Sequence, residues 1–118
     1  MPDTAAAAPT LTMEVKHCAG NVIVVYCHGR LVSEVSELLY TRISELIPST
    51  HRIVLDLSDL KHTDSMGLGT LVRLYVKAKS ANCSLELINL SKQIRHLLGL
   101  TNLFAVFTVI GENGVKFM

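Results

Sequence analysis

The chain has 118 residues, about the size of one ordinary domain. Hydrophobic residues make up 49% of it and charged residues only 18%, a composition that excludes an intrinsically disordered chain. The formal net charge is +1, so no strong electrostatic field favours nucleic-acid binding. Trp is absent, which leaves no row of aromatic side chains on which bases could stack, and no direct nucleic-acid partner is expected.

The N-terminal segment 1–9, with its run of alanines, is predicted to be a flexible tail ahead of one domain over residues 10–118. It lacks the basic start and long apolar stretch of a signal peptide, and no apolar run reaches the roughly 18 residues of a membrane span. We therefore expect a cytoplasmic protein without membrane insertion. The cysteines form no C-x-x-C pair and fit neither a disulfide framework nor a zinc site, so reduced, mostly buried thiols are expected at Cys18, Cys27 and Cys83.

Two strands joined by a tight turn are predicted at the start of the domain. Residues 11–16 alternate apolar and polar side chains, the pattern of a strand with one face in water, and this strand is expected at a sheet edge. Residues 19–21, Ala-Gly-Asn, offer turn chemistry. Residues 22–26 form a β-branched run typical of a strand buried on both faces, so the pattern predicts a β-hairpin.

A helix and a third strand are predicted next. Ser33 is a candidate cap for a helix that ends at Pro48. The apolar positions that repeat at helical spacing are Val35, Leu38, Leu39, Ile43 and Leu46. Residues 53–57 form a second run of the buried-strand type, so the helix and this strand complete a right-handed βαβ crossover.

The remaining pattern alternates helix and strand. A second helix begins near Ser65 and has a basic last turn, which suits the negative end of the helix dipole. Residues 85–90 are predicted as a strand, Ser91 as the start of a short helix that stops at Gly99, and 106–110 as the last strand. The order β-β-α-β-α-β-α-β indicates an α/β fold: a mixed sheet with an N-terminal hairpin and helices packed against it.

Residue types suited to a functional site concentrate in the stretch 64–69, which reads DSMGLG. It follows the third predicted strand through a loop over 58–63 and begins the second helix. At a helix N-terminus the Ser65 hydroxyl can cap free backbone N–H groups, and an added phosphate would meet the positive end of the dipole. Gly67 and Gly69 are costly in a helix, which suggests a close approach to the backbone by a phosphate or by a partner's active site.

Together with its surroundings, this stretch resembles the signature of bacterial anti-sigma-factor antagonists, a group within the STAS domain family. The similarity takes in 53–58, 64–69 and the apolar positions that follow, and it continues over 85–87 and 97–104. The resemblance implies a single STAS domain over 10–118. The strand and helix order of that family agrees with the order predicted above.

The resemblance further implies partner switching. In that family the unphosphorylated antagonist binds an anti-sigma factor that is also a serine kinase, and the sigma factor is released for transcription. The kinase phosphorylates the serine that corresponds to Ser65, the complex dissociates, and a metal-dependent serine phosphatase restores binding. The antagonist is a substrate and not an enzyme, so neither a cofactor nor a bound metal is expected.

The same resemblance assigns partner contacts to residues around Ser65 and to the loop after the second strand. The contact set is Arg30, Val32, Ser33, Asp64, Met66, Gly67 and Leu68. Two of its members depart from the family pattern: Val32 stands where many members carry an acidic residue, and Met66 stands where a small residue is common. Met66 would place a flexible apolar side chain beside the phosphoacceptor.

Other interpretations of these residues stay open at the level of sequence. Ser65 is also a candidate for a plain helix N-cap, and Thr63 is a nearby alternative phosphoacceptor. Asp64 could orient Ser65, help to recruit the kinase's metal, or act only as a carboxylate favourable to the helix dipole. A hydrolase nucleophile is disfavoured because Thr63 stands where that motif needs Gly, and His62 is more simply a loop residue. An alternative function is a STAS scaffold subunit of a larger signalling assembly or a transporter accessory.

Overall fold

The computed structural model describes residues 10–100 together with the backbone of 108–110 and 116–117. The flexible tail predicted over 1–9 lies outside the described residues. So does 101–107, which holds the start of the last predicted strand and the end of the family resemblance.

The described residues form one mixed sheet and three α-helices. The strands are β1 (Leu11–Cys18), β2 (Val22–Leu31), β3 (Arg52–Thr63), β4 (Ser84–Ile88), β5 (Thr108–Ile110) and β6 (Lys116–Phe117). The helices are α1 (Ser36–Leu46), extended by a 3-10 turn over Ile47–Ser49, α2 (Ser65–Ser80) and α3 (Lys92–Leu100). The strands lie side by side in chain order, with β1–β2 and β5–β6 antiparallel and the other neighbours parallel. This confirms the α/β fold with an N-terminal hairpin and β1 at a sheet edge, whereas β6 is a strand that the sequence pattern does not predict.

The turn between β1 and β2 has the backbone that its residues favour. Gly20 and Asn21 adopt positive φ angles of 80° and 60°, the left-handed conformation that glycine and asparagine tolerate best. Cys18 consequently lies opposite Val22 across the antiparallel ladder. The predicted hairpin is confirmed.

The hydrophobic core lies on one face of the sheet. Alternate residues of the central strands enter it beside apolar residues of all three helices. Its members include Ile23, Val25, Ile53, Leu55, Leu85, Leu39, Ile43, Leu71, Leu74, Ile94 and Leu98. The prediction that 22–26 is buried on both faces is wrong, since Val24 and Tyr26 are only half-buried in this strand next to the sheet edge. The more central residues 53–57 of β3 are all buried, as predicted.

Strand β3 extends beyond its predicted apolar run. The segment 58–63, expected as a loop, continues the strand, and β2 likewise continues through Gly29 and Leu31. The two strands stay paired past two register irregularities, with Gly29 opposite Leu60 and Leu31 opposite Thr63. The ends of β2 and β3 are thereby carried together to the start of α2.

The start of α1 differs from the prediction. The helix begins at Ser36 after Val35, which provides no side-chain cap, so the prediction that Ser33 caps this helix is wrong. Ser33 instead lies in the turn that joins β2 to α1. Leu38, predicted on the buried stripe, is 52% exposed.

The end of β4 and the bounds of α3 also differ in detail. Strand β4 ends at Ile88, two residues earlier than predicted, because Asn89 turns to a positive φ of 56°. The Ser91 hydroxyl accepts the Ile94 N–H of α3 at 3.3 Å and so caps the helix, in agreement with the predicted helix start at Ser91. The predicted stop at Gly99 is wrong, since the helix continues to Leu100.

The cysteine thiols are free, and two of the three are buried. Cys27 and Cys83 lie in the core, while Cys18 is exposed. Burial, with a smaller contribution from Asp56, raises the pKa of the Cys27 thiol to about 12. A thiol with so high a pKa stays protonated and unreactive. Two buried thiols of three confirm the expectation that the cysteines are mostly buried.

A charged cluster links the first three strands. On β2, His28 Nε2 lies 2.8 Å from Glu14 Oε1 of β1, and Nδ1 lies 2.7 Å from Asp59 Oδ2 of β3. Lys61 adds an ion pair to Asp59 at 3.2 Å. Both ring nitrogens of an imidazole donate only when the ring is protonated. Hydrogen bonds to Asp59 first and Glu14 second accordingly raise the pKa of His28.

Candidate phosphorylation and partner-binding site

Asp64 caps helix α2. Its backbone is extended, with φ −109° and ψ −175°, and its Oδ1 accepts the Gly67 N–H at 2.9 Å. The prediction that Ser65 supplies the cap is therefore wrong. Ser65 is the first residue of the helix and is exposed. Its hydroxyl makes no hydrogen bond with any residue that the structure describes.

The second oxygen of Asp64 holds the loop between β2 and α1. Asp64 Oδ2 accepts the Ser33 N–H at 3.1 Å, and the Asp64 N–H donates to the Leu31 carbonyl at 3.3 Å. Hydrogen bonds hold the pKa of the Asp64 carboxyl below its usual range. The Gly67 N–H has the largest effect, and the N–H groups of Ser33 and Met66 contribute less. The carboxylate is thus a clamp that joins this loop to the start of α2.

Gly67 faces the end of β2. A Cβ at this position would collide with the Leu31 carbonyl oxygen and with the Thr63 hydroxyl. The Thr63 hydroxyl is itself buried and donates to that carbonyl at 2.7 Å. The close approach that the sequence suggested at Gly67 is therefore an approach by the chain's own strand. Burial of Thr63 also leaves Ser65 as the accessible hydroxyl of the two.

Gly69 lies in a different environment. It is exposed, and a Cβ built on it would meet no atom within 4 Å. Nothing in the described part of the chain requires glycine here. The two glycines of one motif thus serve different purposes, which their spacing in the sequence does not reveal.

The predicted contact residues divide by exposure. Those at the surface are Arg30, Ser33 and Met66, the last with 59% of its surface exposed. Those in the interior are Val32, Gly67 and Leu68, while Asp64 is half-buried. The interior residues support this surface from beneath, and only the exposed ones are accessible to a binding partner.

The described residues contain no Ser–His pair at this site. His62 Nδ1 lies 2.9 Å from Gln93 Nε2, and no hydrogen bond joins it to Ser65. The same residues hold no group of three or more His, Cys, Asp and Glu side chains placed to bind a metal ion. None of their helices is long and apolar enough to cross a membrane.

Sequence reasoning missed the clamp made by Asp64. The available signal was an aspartate directly before a predicted helix, a residue type strongly favoured as an N-cap. Its contact with Ser33 lay beyond sequence reasoning, because 31 positions separate the two residues along the chain.

Comparison with known proteins decides the family. A family model described as the STAS domain matches residues 13–113. The chain belongs to the STAS domain family. An anti-sigma factor antagonist from Mycobacterium paratuberculosis has the same fold as this STAS domain, with a TM-score of 0.75 and 25% identity over 87% of this chain and 88% of that one.

Two further solved structures share the fold of this STAS domain. A Thermotoga maritima protein, proposed to be an anti-sigma factor antagonist, gives a TM-score of 0.76 and 22% identity over 82% of this chain and 84% of that one. The Bacillus cell-fate determinant SpoIIAA in its phosphorylated form gives a TM-score of 0.67 and 18% identity over 86% of this chain and 94% of that one. At these identities the second and third similarities establish the fold alone.

Proposed function

We propose that this STAS domain is an anti-sigma-factor antagonist whose partner binding is switched by phosphorylation of Ser65. The observation that carries the proposal is that Asp64 and Ser65 have different roles at the start of α2. Asp64 performs the capping, so the exposed Ser65 hydroxyl has no structural task among the described residues and is available for modification. One structural relative is described in a phosphorylated form, which supports this assignment.

The proposed partner of the unphosphorylated domain is an anti-sigma factor with serine kinase activity. Its contact surface comprises the exposed residues Arg30 at the end of β2, Ser33 in the loop that follows, and Ser65 and Met66 at the start of α2. Val32, Gly67 and Leu68, named with them in the sequence-based contact set, support the surface from the interior. The domain acts as the kinase's substrate and performs no catalysis, and a metal-dependent serine phosphatase reverses the modification in the cytoplasm.

Electrostatics explains how one phosphate releases the partner. Phosphorylation adds about −1.5 to −2 charges and three acceptor oxygens at the contact surface, where desolvation and repulsion oppose binding. The phosphate itself is tolerated, because backbone N–H groups and the positive end of the α2 dipole lie beside it. We expect the fold to change little on phosphorylation, so chemical shifts should change only near α2 and the β2–α1 loop. Large chemical-shift changes across β1 and β4 would contradict a mechanism in which the phosphate directly blocks the partner interface.

A kinase assay tests the proposal. Wild type, Ser65→Ala and the control Ser80→Ala are incubated with candidate anti-sigma kinases and ATP, and the phosphorylated residue is located by mass spectrometry. We expect one phosphate on wild type and on the control, none on Ser65→Ala, and loss of kinase binding after modification. Absence of both phosphorylation and kinase binding would overturn the proposal and leave the scaffold alternative.

A further inference from the structure

One face of α2 continues the Ser65 surface along the helix. At 100° per residue, Ser65, Met66, Gly69, Arg73 and Val76 project within about a third of the helix circumference. Met66 and Val76 are each 59% exposed, and Gly69 lies between them with open space where a side chain would be. Met66, Gly69 and Val76 together are termed the outer stripe.

Gly69 is unfavourable for the isolated domain. Glycine inside a helix is destabilising relative to alanine, because the unfolded chain has more backbone freedom to lose. No described residue lies close enough to this position to exclude a side chain there. A glycine flanked on one helix face by two exposed apolar residues is suited to a second helix that packs close to the backbone.

Two cations bear on the occupant: Arg73, which lies within the arc of the outer stripe, and Lys77, which lies beside it. Arg73 is held by Glu37 at 2.8 Å and stacks on the Tyr40 ring with a 4.1 Å separation from its centroid. The Lys77 ammonium lies 5.4 Å from the same centroid, and within residues 10–100 it forms no salt bridge with a carboxylate. An acidic side chain of a partner would complement this positioned cation.

We propose that the outer stripe binds a helix of the same kinase that binds at Ser65, a helix with an apolar face and an acidic residue opposite Lys77. The inference rests on the proposed function and extends its contact surface along α2. Continuity supports a single partner: Met66 adjoins Ser65, and the stripe runs only about 15 Å to Val76, a length that one partner helix can cover.

Binding and stability measured on the same variants test this inference. The dissociation constant for the kinase is measured by calorimetry for wild type, Gly69→Ala, Val76→Ser and Lys77→Glu, and thermal unfolding is followed for each domain alone. We expect each variant to bind roughly tenfold more weakly, the loss typical of a central interface residue. Gly69→Ala should at the same time unfold at a higher temperature than wild type, which excludes misfolding as the cause of its weaker binding.

The controls separate this inference from the proposed function. Leu100→Ser removes an apolar side chain of similar exposure, 68%, from α3 and should leave kinase binding unchanged. If Ser65 is phosphorylated but Gly69→Ala, Val76→Ser and Lys77→Glu all bind the kinase with unchanged affinity, the outer stripe is refuted as a binding surface and the proposed function stands. No binding by any kinase would overturn both. A change in self-association in place of kinase affinity, seen by sedimentation, would identify a second copy as the occupant and refute the kinase helix.

Discussion

The two sides of helix α2 near its start use the same kind of residue in opposite ways. On the inner side, Gly67 packs against Leu31 and Thr63 with no room for a side chain. On the outer side, Gly69 faces open space beside the exposed residues Ser65 and Met66. Contacts within the domain explain the inner side, whereas the outer side has no such explanation among the described residues, and we propose a binding partner there.

This contrast shows how one motif can combine a structural and a functional requirement. Asp64 and Gly67 fix the start of α2 against the end of β2 through hydrogen bonds and close packing. With that side fixed, the Ser65 hydroxyl can be modified without loss of an internal contact. A rigid support beneath an accessible hydroxyl suits a switch that changes binding without refolding.

The largest effect is expected from Gly67→Ala. The added methyl group would collide with the Leu31 carbonyl oxygen, so the strand end and helix must move apart. We expect the free energy of unfolding to fall by about 1–3 kcal/mol, as for other overpacked interiors. Urea unfolding measures it, with Gly69→Ala as the matched control, which should gain up to about 1 kcal/mol. Equal effects at the two glycines would remove the distinction between the sides.

A smaller loss is expected from Asp64→Ala, which removes the α2 cap and the contact with the Ser33 N–H. Because hydrogen bonding lowers the pKa of Asp64 in the folded state, its contribution is present above the unfolded-state pKa and is lost as the pH falls through the folded-state pKa. We expect Asp64→Ala to lower the thermal midpoint near neutral pH and to differ less from wild type in strong acid. Asp64→Asn, which can still cap, should lie between the two. If the difference in thermal midpoint between wild type and Asp64→Ala is as large in strong acid as at neutral pH, the clamp is refuted.

The smallest effect concerns His28, which lies away from both sides of α2. Its pKa is raised in the folded state, so its contribution is present below the unfolded-state pKa and is lost as the pH rises through the folded-state pKa. We expect the thermal midpoint of wild type to fall as the pH rises from the unfolded-state pKa of His28 through its folded-state pKa, and that of His28→Gln to fall less. The control is His17→Gln, which replaces an exposed histidine. Kinase affinity should not follow this titration; if it did, the binding surface would extend beyond α2 and the β2–α1 loop.

Particular residues show where sequence reasoning succeeded and failed. The hairpin turn at Gly20 and Asn21 and the cap at Ser91 were predictable because each depends on a few neighbouring residues. The extension of β3 was not, since its pairing with β2 continues past bulges that periodicity does not reveal. The cap on α2 was assigned one residue too late, at Ser65 in place of Asp64.

The sequence by itself determined the α/β fold, the hairpin and the position of Ser65 at a helix start. Local patterning is sufficient for these, because apolar periodicity and turn residues act over short distances along the chain. Only the tertiary structure decided which glycine packs against other residues of the domain and which faces solvent. That distinction depends on Leu31 reaching Gly67 across 36 positions of the chain, and contacts between distant segments exist only after the strands and helices have packed.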